Sequence, residues 1–324
     1  MHVLITGAGG MIGGKLAGRI AADGAVGGRA VTRMTLADIA QPAAPRSGFP
    51  VDCLAADISA PGVPDRLVAA APDLVFHLAA VVSGEAEADF DKGYRVNLGG
   101  TRALLEAIRL KGHRPRVVFA SSIAVFGGPY PDLIGDDFPP APLTSYGTQK
   151  AICELLLADY SRRSLLDGVG IRLPTICVRP GAPNKAASGF FSNILREPLA
   201  GQPAVLPVPD TVRHWFASPR AAVGFLLHAA ALDTARLGQR RSLNMPGVTA
   251  TVAEEIEALR AVAGDRAVAL IRREPDETIT RMVDGWPRAF DAARAASLGF
   301  TADRSFRDIV LAHVEDELGG SPRI

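Results

Sequence analysis

Residues 5–20 read ITGAGGMIGGKLAGRI, and the placement of glycine in that stretch decides the fold. Gly7, Gly10 and Gly13 fall at G-x-x-G-x-x-G spacing, directly after the apolar run HVLIT (2–6) and at the opening of a helical pattern. The first glycine permits a tight turn and the second lets backbone amides approach a pyrophosphate at a helix N-terminus. The third lets the helix pack closely on the strand. A glycine trio alone is often only a turn, but here the strand before it and the helix after it are both present. Gly7, Gly10, Met11, Ile12 and Gly13 are therefore expected to line a dinucleotide site.

Outward from this loop the strand-like runs recur: MTLADI (34–39), VDCLAAD (51–57), DLVFHLA (73–79), RVVFAS (116–121) and GVGIRLPTICV (168–178). Helical patterns separate them, the longest being FDKGYRVNLGGTRALLEAIRLKG (90–112). Strands alternating with helices imply parallel βαβ units, hence an α/β fold with a Rossmann-type doubly wound parallel sheet. From about Gly181 the texture becomes rich in Pro, Gly and small polar residues, as in loops that hang from the carboxyl ends of such strands. The expected division is a dinucleotide-binding domain over 1–178 and a smaller, mainly substrate-binding region over 179–324, part of which returns to the first.

The second strand ends at Asp38, where a carboxylate accepts hydrogen bonds from both hydroxyls of an adenosine ribose and repels a 2′-phosphate. Ile39, rather than Arg, follows it, so NAD is expected over NADP. Asp57 and Ile58 follow the third strand and are placed against the adenine, although an N-cap role suits Asp57 as well. In HLAA (77–80), Leu78, Ala79 and Ala80 leave room for the dinucleotide, and His77 reads as a core histidine.

The stretch LTSYGTQKAICELLL (143–157) sets Tyr146 and Lys150 four residues apart at the start of a helix. Residues i and i+4 share a helix face, and an ammonium beside a phenol favours the phenolate, lowering its pKa toward a value useful in proton transfer. In FASSIAVFG (119–127) two serines end the fifth strand at the carboxyl edge of the sheet.

Glycine loop, strand-end serine and Tyr-x-x-x-Lys, in that order, resemble the extended short-chain dehydrogenase/reductase family (NAD-dependent epimerase/dehydratase) over nearly the whole chain. The resemblance implies that Tyr146 is the acid/base and that Lys150 lowers its pKa and binds the nicotinamide ribose. It assigns orientation of the substrate oxygen to Ser122 in preference to Ser121. Asn97 in VNLGGT matches a family position near the cofactor that mainly holds backbone. A homodimer is implied too, through the Tyr146 helix and the helix at 90–111, whose apolar stripes read equally well as core faces.

Epimerases of nucleotide sugars in this family carry an Arg-Tyr-Phe-Asn-like run after strand six, whereas this chain reads RLPT (172–175) with Thr175 at the Asn position. The later segments are similar instead to a subgroup that uses NAD to oxidise the C2 hydroxyl of a four-carbon sugar acid. The reaction so implied is D-erythronate to 2-dehydro-D-erythronate.

A small acid needs a cation for its carboxylate and polar groups for its hydroxyls. Arg213 in VRHW (212–215) is the expected cation, with Ser83, Asn184, Lys185 and Ser188 as further donors, each reading equally well as a solvated loop residue; Thr175 is expected at the substrate too, with Ser122 and Tyr146. His214 is expected to be structural, beside a packing Trp215. The competing readings are a nucleotide-sugar epimerase with tightly held NAD and a non-catalytic dinucleotide sensor.

The 324 residues carry 35 basic and 34 acidic side chains, a net charge of +1, which provides no electrostatic footprint for nucleic acid or an acidic membrane. Cys53, Cys153 and Cys177 lie far apart with no C-x-x-C spacing, so neither a disulfide framework nor a metal site is expected, and a reducing compartment is. The N-terminus starts on a strand without a basic or long apolar leader, and no run is long enough to span a bilayer. A cytoplasmic protein is the expectation.

Overall fold

Seven parallel strands form the central sheet of the computed structural model, which describes residues 1–181 and 188–323. They are β1 (His2–Thr6), β2 (Arg33–Asp38), β3 (Val51–Ala55), β4 (Leu74–His77), β5 (Arg116–Ser122), β6 (Asp167–Leu173) and β7 (Ser242–Asn244). Their spatial order is β7-β6-β5-β4-β1-β2-β3. The chain winds outward from β1 to β3, then crosses back to lay β4 on the other side of β1. That reversal opens a crevice at the carboxyl ends of β1 and β4, where such sheets take their ligands.

Val3, Leu4 and Ile5 are wholly buried because helices cover both faces, which is why the strands read as continuous apolar runs. On one face Leu16 and Ile20 of the helix Met11–Asp23 pack with Phe225 and Leu226 of the helix Pro219–Ala231. On the other, Leu104 and Ile108 of the helix Thr101–Lys111 pack with Cys153 and Leu157 of the helix Ser145–Arg162. A separate core joins the helices Gly189–Leu199, Val252–Val268 and Phe306–Glu317 through Phe191, Leu195, Leu259 and Val310. Beyond Val178 the chain thus builds this second core, and also supplies β7 and one covering helix to the first.

Two departures from the sequence pattern matter for the site. The run 168–178 is broken at Pro174, whose nitrogen has no proton for the ladder. Beyond it Thr175–Ile176 leaves the central sheet and pairs with the strand Arg213–Ala217, which also pairs with Val248–Thr251. The helical pattern at 90–112 divides into Phe90–Gly93, a π-helical stretch Tyr94–Gly100, and Thr101–Lys111. The wide turns carry Asn97 inward, and Gly100 sits so close to Ile58 that a Cβ there would lie 2.8 Å from its Cγ2.

Among the described residues the three cysteines are free, and no helix is long and apolar enough to cross a membrane.

Candidate functional site

The glycine loop leaves β1 and its backbone is pinned to β2: the amides of Gly7 and Ala8 both donate to the carbonyl of Ala37, at 2.8 and 3.1 Å. Gly7 takes a positive φ of 77°, and a Cβ on it would come within 2.6 Å of the Ala79 amide nitrogen. A Cβ on Gly13 would collide with the Gly7 carbonyl. The helix Met11–Asp23 begins at Gly10 without a side-chain cap, so its first amides face the crevice. An uncapped helix N-terminus behind a side-chain-free loop is a cradle for a dinucleotide pyrophosphate, and these residues fit one.

Asp38 closes the cradle at the end of β2. Its Oδ2 accepts from the Gly9 amide at 2.9 Å and its Oδ1 from the Ile39 amide at 2.7 Å. A pocket of about 320 Å³ beside it is lined by Asp38, Asp57, Ile58, Leu78, Ala79 and Ala80. Asp57 is also committed to its own turn: its Oδ1 accepts from the amide and the hydroxyl of Ser59 at 2.8 and 2.6 Å. The Ser59 hydroxyl bond, chiefly, pulls the Asp57 carboxyl below the usual range.

Asn97 lines neither pocket. Its Oδ1 accepts from the Val81 amide at 2.8 Å, and its Nδ2 donates to the Val81 carbonyl and to Gln149 Oε1 at 3.2 and 2.7 Å. The segment after β4 is thereby held against the helix Ser145–Arg162. His77 is a core residue. The Thr101 hydroxyl donates to the Asn97 carbonyl at 2.6 Å and so accepts from His77 Nε2 at 2.8 Å, which leaves Nδ1 to accept from Thr6 at 2.7 Å.

A larger cleft of about 920 Å³ opens from the same glycine loop, and Ser83, Ser122, Tyr146, Thr175 and Ser188 are on its walls. The Tyr146 helix is capped by Thr144, whose hydroxyl accepts from the Gly147 amide at 3.1 Å. Gly147 lets that helix approach the end of β5, since a Cβ there would collide with the Ala124 carbonyl. Ser122 accepts from the Ala124 amide at 3.1 Å, and its hydroxyl is near enough to Tyr146 to pull the phenol pKa down. Ser121 points the other way and donates to the buried Glu154 Oε1 at 2.5 Å.

Lys150 lies beneath this pair, buried, with its Nζ donating to the Ala120 carbonyl at 2.8 Å and 5.7 Å from the centre of the Tyr146 ring. The expected lowering of the phenol pKa by the ammonium is not what the chain alone displays. Burial dominates and pushes Tyr146 up to about 12, against smaller downward pulls from the Ser122 hydroxyl and the Arg179 charge. Burial likewise pushes Lys150 down to about 8, with Cys153 and Glu154 opposing it.

The far wall differs from the expectation. Arg213 lies on the surface, its Nη1 3.5 Å from Glu254 Oε2, and lines neither pocket. The guanidinium groups in the cleft are those of Arg179 and Arg196. Arg179 donates from Nε to the Ile176 carbonyl at 3.1 Å and from Nη2 to Ser188 Oγ at 3.0 Å. Burial lowers its pKa, and no carboxylate is among the groups acting on it within the described residues. Arg196 is neutralised by Glu197 at 2.5 Å and holds the Arg179 carbonyl at 2.8 Å. Asn184 and Lys185 lie outside the described residues.

His214, adjacent to Arg213, faces inward and lines the cleft next to Thr175. Glu154, Arg172, Arg179 and His214 were not singled out as site residues from the sequence. An Arg immediately beyond the apolar run that ends at Val178 is the signal that could have found Arg179.

The sequence profile of the NAD dependent epimerase/dehydratase family matches residues 3–235. The chain is 48% identical over 320 residues to D-erythronate dehydrogenase of Cupriavidus necator, covering 98% of each. It is 41% identical over 318 residues to D-erythronate dehydrogenase of Haemophilus influenzae, covering 98% of this chain and 100% of that one. A crystal structure described as the nucleoside-diphosphate-sugar epimerase from Agrobacterium tumefaciens superimposes with a TM-score of 0.96 at 64% identity, over 99% of this chain and 95% of that one. The glycine cradle, the sheet order and these matches together establish that the chain belongs to the NAD dependent epimerase/dehydratase family.

Proposed function

We propose that the protein is an NAD-dependent dehydrogenase that oxidises the C2 hydroxyl of a small sugar acid, D-erythronate, to 2-dehydro-D-erythronate. The observation that carries the reading is Arg179, a half-buried guanidinium without a carboxylate partner among the described residues, close enough to Tyr146 for its charge to act on the phenol. In a 2-hydroxy acid the carboxylate is one bond from the reacting carbon. A cation for C1 must therefore stand next to the base for C2, as Arg179 does. The near-full-length similarity to two D-erythronate dehydrogenases supports the choice of acid.

Gly7, Gly10, Met11, Ile12 and Gly13 would hold the pyrophosphate of NAD, Asp38 the adenosine ribose, and Lys150 the nicotinamide ribose. Bound NAD supplies the two-electron acceptor and brings a positive charge. Tyr146, as phenolate, takes the proton of the C2 hydroxyl, while Ser122 donates to the oxygen on which charge develops. Lys150 keeps positive charge below the phenol. Arg179 fixes the carboxylate.

Stoichiometric NADH formation with D-erythronate, followed by ultraviolet absorbance, tests the reading. A nucleotide-sugar epimerase, the description attached to the Agrobacterium tumefaciens structure, would interconvert its substrate with no net NADH. The reading includes a cytoplasmic setting and a homodimer through the Tyr146 helix and its neighbour, on which Leu155 and Leu110 are 72% and 66% exposed. Light scattering on the purified chain tests the dimer.

A further inference from the structure

We propose that His214 holds the hydroxyl of Thr175 as a pure hydrogen-bond acceptor, which makes Thr175 a specificity residue for a substrate hydroxyl beyond C2. The inference rests on the sugar-acid reading above and deepens it. His214 Nδ1 lies 2.9 Å from the Pro287 carbonyl, which only accepts, so Nδ1 carries the proton. The ring is buried, stacked 5.4 Å from Phe191 at 5° between planes, and burial pushes it down to about 4, so it is neutral. Its Nε2 is then a lone pair, and the Thr175 hydroxyl 2.7 Å away must donate to it.

With its single proton committed, Thr175 presents only lone pairs to the cleft that it lines together with His214, Trp286 and Pro287. Lone pairs repel a carboxylate and accept from an alcohol. The wall built beyond Pro174, which turns the chain out of β6, therefore carries two chemically opposite groups: Arg179 for the acid and Thr175 for a distal hydroxyl. This polarity gives the substrate one direction in the cleft. It also rejects acids lacking the hydroxyl, because a site built to pair with an OH is left with an unmatched group when the OH is missing.

The test compares kcat/KM for D-erythronate with that for its 3-deoxy and 4-deoxy analogues. The wild type should prefer D-erythronate over one of the two by about tenfold to hundredfold. Thr175→Val should erase that preference by lowering activity on D-erythronate while leaving the disfavoured analogue nearly unchanged, with the loss in KM rather than kcat. Thr175→Ser, which keeps the hydroxyl and folds under the same control, should retain it. His214→Phe, which preserves the stacking but frees the Thr175 proton, should weaken the preference several-fold. Equal analogue ratios in wild type and Thr175→Val, with D-erythronate turned over by both, would overturn the role of Thr175 alone. No turnover of any sugar acid by the wild type would overturn the dehydrogenase reading, and this inference with it.

Discussion

Arg172 and Glu154 form a two-pronged ion pair inside the protein, Nη2 2.7 Å from Oε2 and Nε 3.0 Å from Oε1. Ser121 adds a hydrogen bond to the carboxylate, Arg172 reaches Asn244 Oδ1 at 3.2 Å, and the guanidinium lies 4.9 Å from the centre of the Phe126 ring. One cluster thereby ties β5, β6, β7 and the Tyr146 helix together under the cleft. Removing one partner strands the other charge, so Arg172→Met is expected to destabilise the fold by about 3–5 kcal/mol in urea titration. The double variant Arg172→Met/Glu154→Leu should lose less than the single one; a larger loss would show that the pair is not coupled.

Arg179 in the cleft and Arg213 on the surface should behave oppositely. Arg179→Met is expected to raise KM for D-erythronate by about a hundredfold while leaving KM for NAD within about twofold, as for truncating one half of a buried charge pair. Arg213→Ala removes an exposed pair with Glu254 and should change either constant by no more than about twofold. A large effect of Arg213→Ala on the acid alone would restore the assignment that the linear sequence suggested.

Tyr146→Phe retains the half-buried ring and removes the oxygen on which the Ser122 hydroxyl acts. Turnover should fall by about a thousandfold or more, with NAD affinity measured by calorimetry nearly unchanged. An active Phe variant would exclude Tyr146 as the base. In the cofactor-free protein the phenol should titrate near 12 by ultraviolet difference spectroscopy.

Asp38 accepts two backbone hydrogen bonds and lines the smaller pocket, the one proposed above to take the adenosine ribose. Asp38→Asn keeps the size and removes the charge that would repel a 2′-phosphate. The preference in kcat/KM for NAD over NADP should fall by at least about tenfold. Unchanged preference would place the ribose elsewhere.

Burial pushes His77 to about 3, and His214 and His313 to about 4, from 6.5. Each is a base whose folded pKa is depressed, so between those values and 6.5 the unfolded chain binds more protons. Stability therefore rises with pH across that window and is lost as pH falls from 6.5 toward 4. The urea midpoint should follow this slope, and His77→Asn should flatten it; an equally steep slope in the variant would assign the acid lability to other groups.

Much of the crevice was readable because its signals are local. Gly7 and Gly13 sit on one turn, Asp38 ends the adjacent strand, and Tyr146 and Lys150 share one helix face. Ser122 and Ser121 illustrate how far that goes. Alternation along β5 sends one to Tyr146 and the other to Glu154, and which goes where depends on the partner helix lying across the strand end. The phenol's pKa was beyond such reasoning, since Tyr-x-x-x-Lys spacing says nothing of how completely the pair is desolvated.

Spacing and order by themselves determined the doubly wound parallel sheet, the nucleotide loop and the helix carrying Tyr146, because each depends on contacts within a few residues or on strand–helix alternation. The substrate wall was decided only in three dimensions. Pro174 turns the chain out of β6, and Thr175–Ile176 pairs with a strand some forty residues onward, Phe216 meeting Thr175. Along that strand neighbouring side chains face opposite sides, so a register that turns His214 into the cleft turns Arg213 out to Glu254. A one-residue phase set by long-range pairing thus chose the residue that meets Thr175, and the same fold brought Arg179, not Arg213, to the cleft wall.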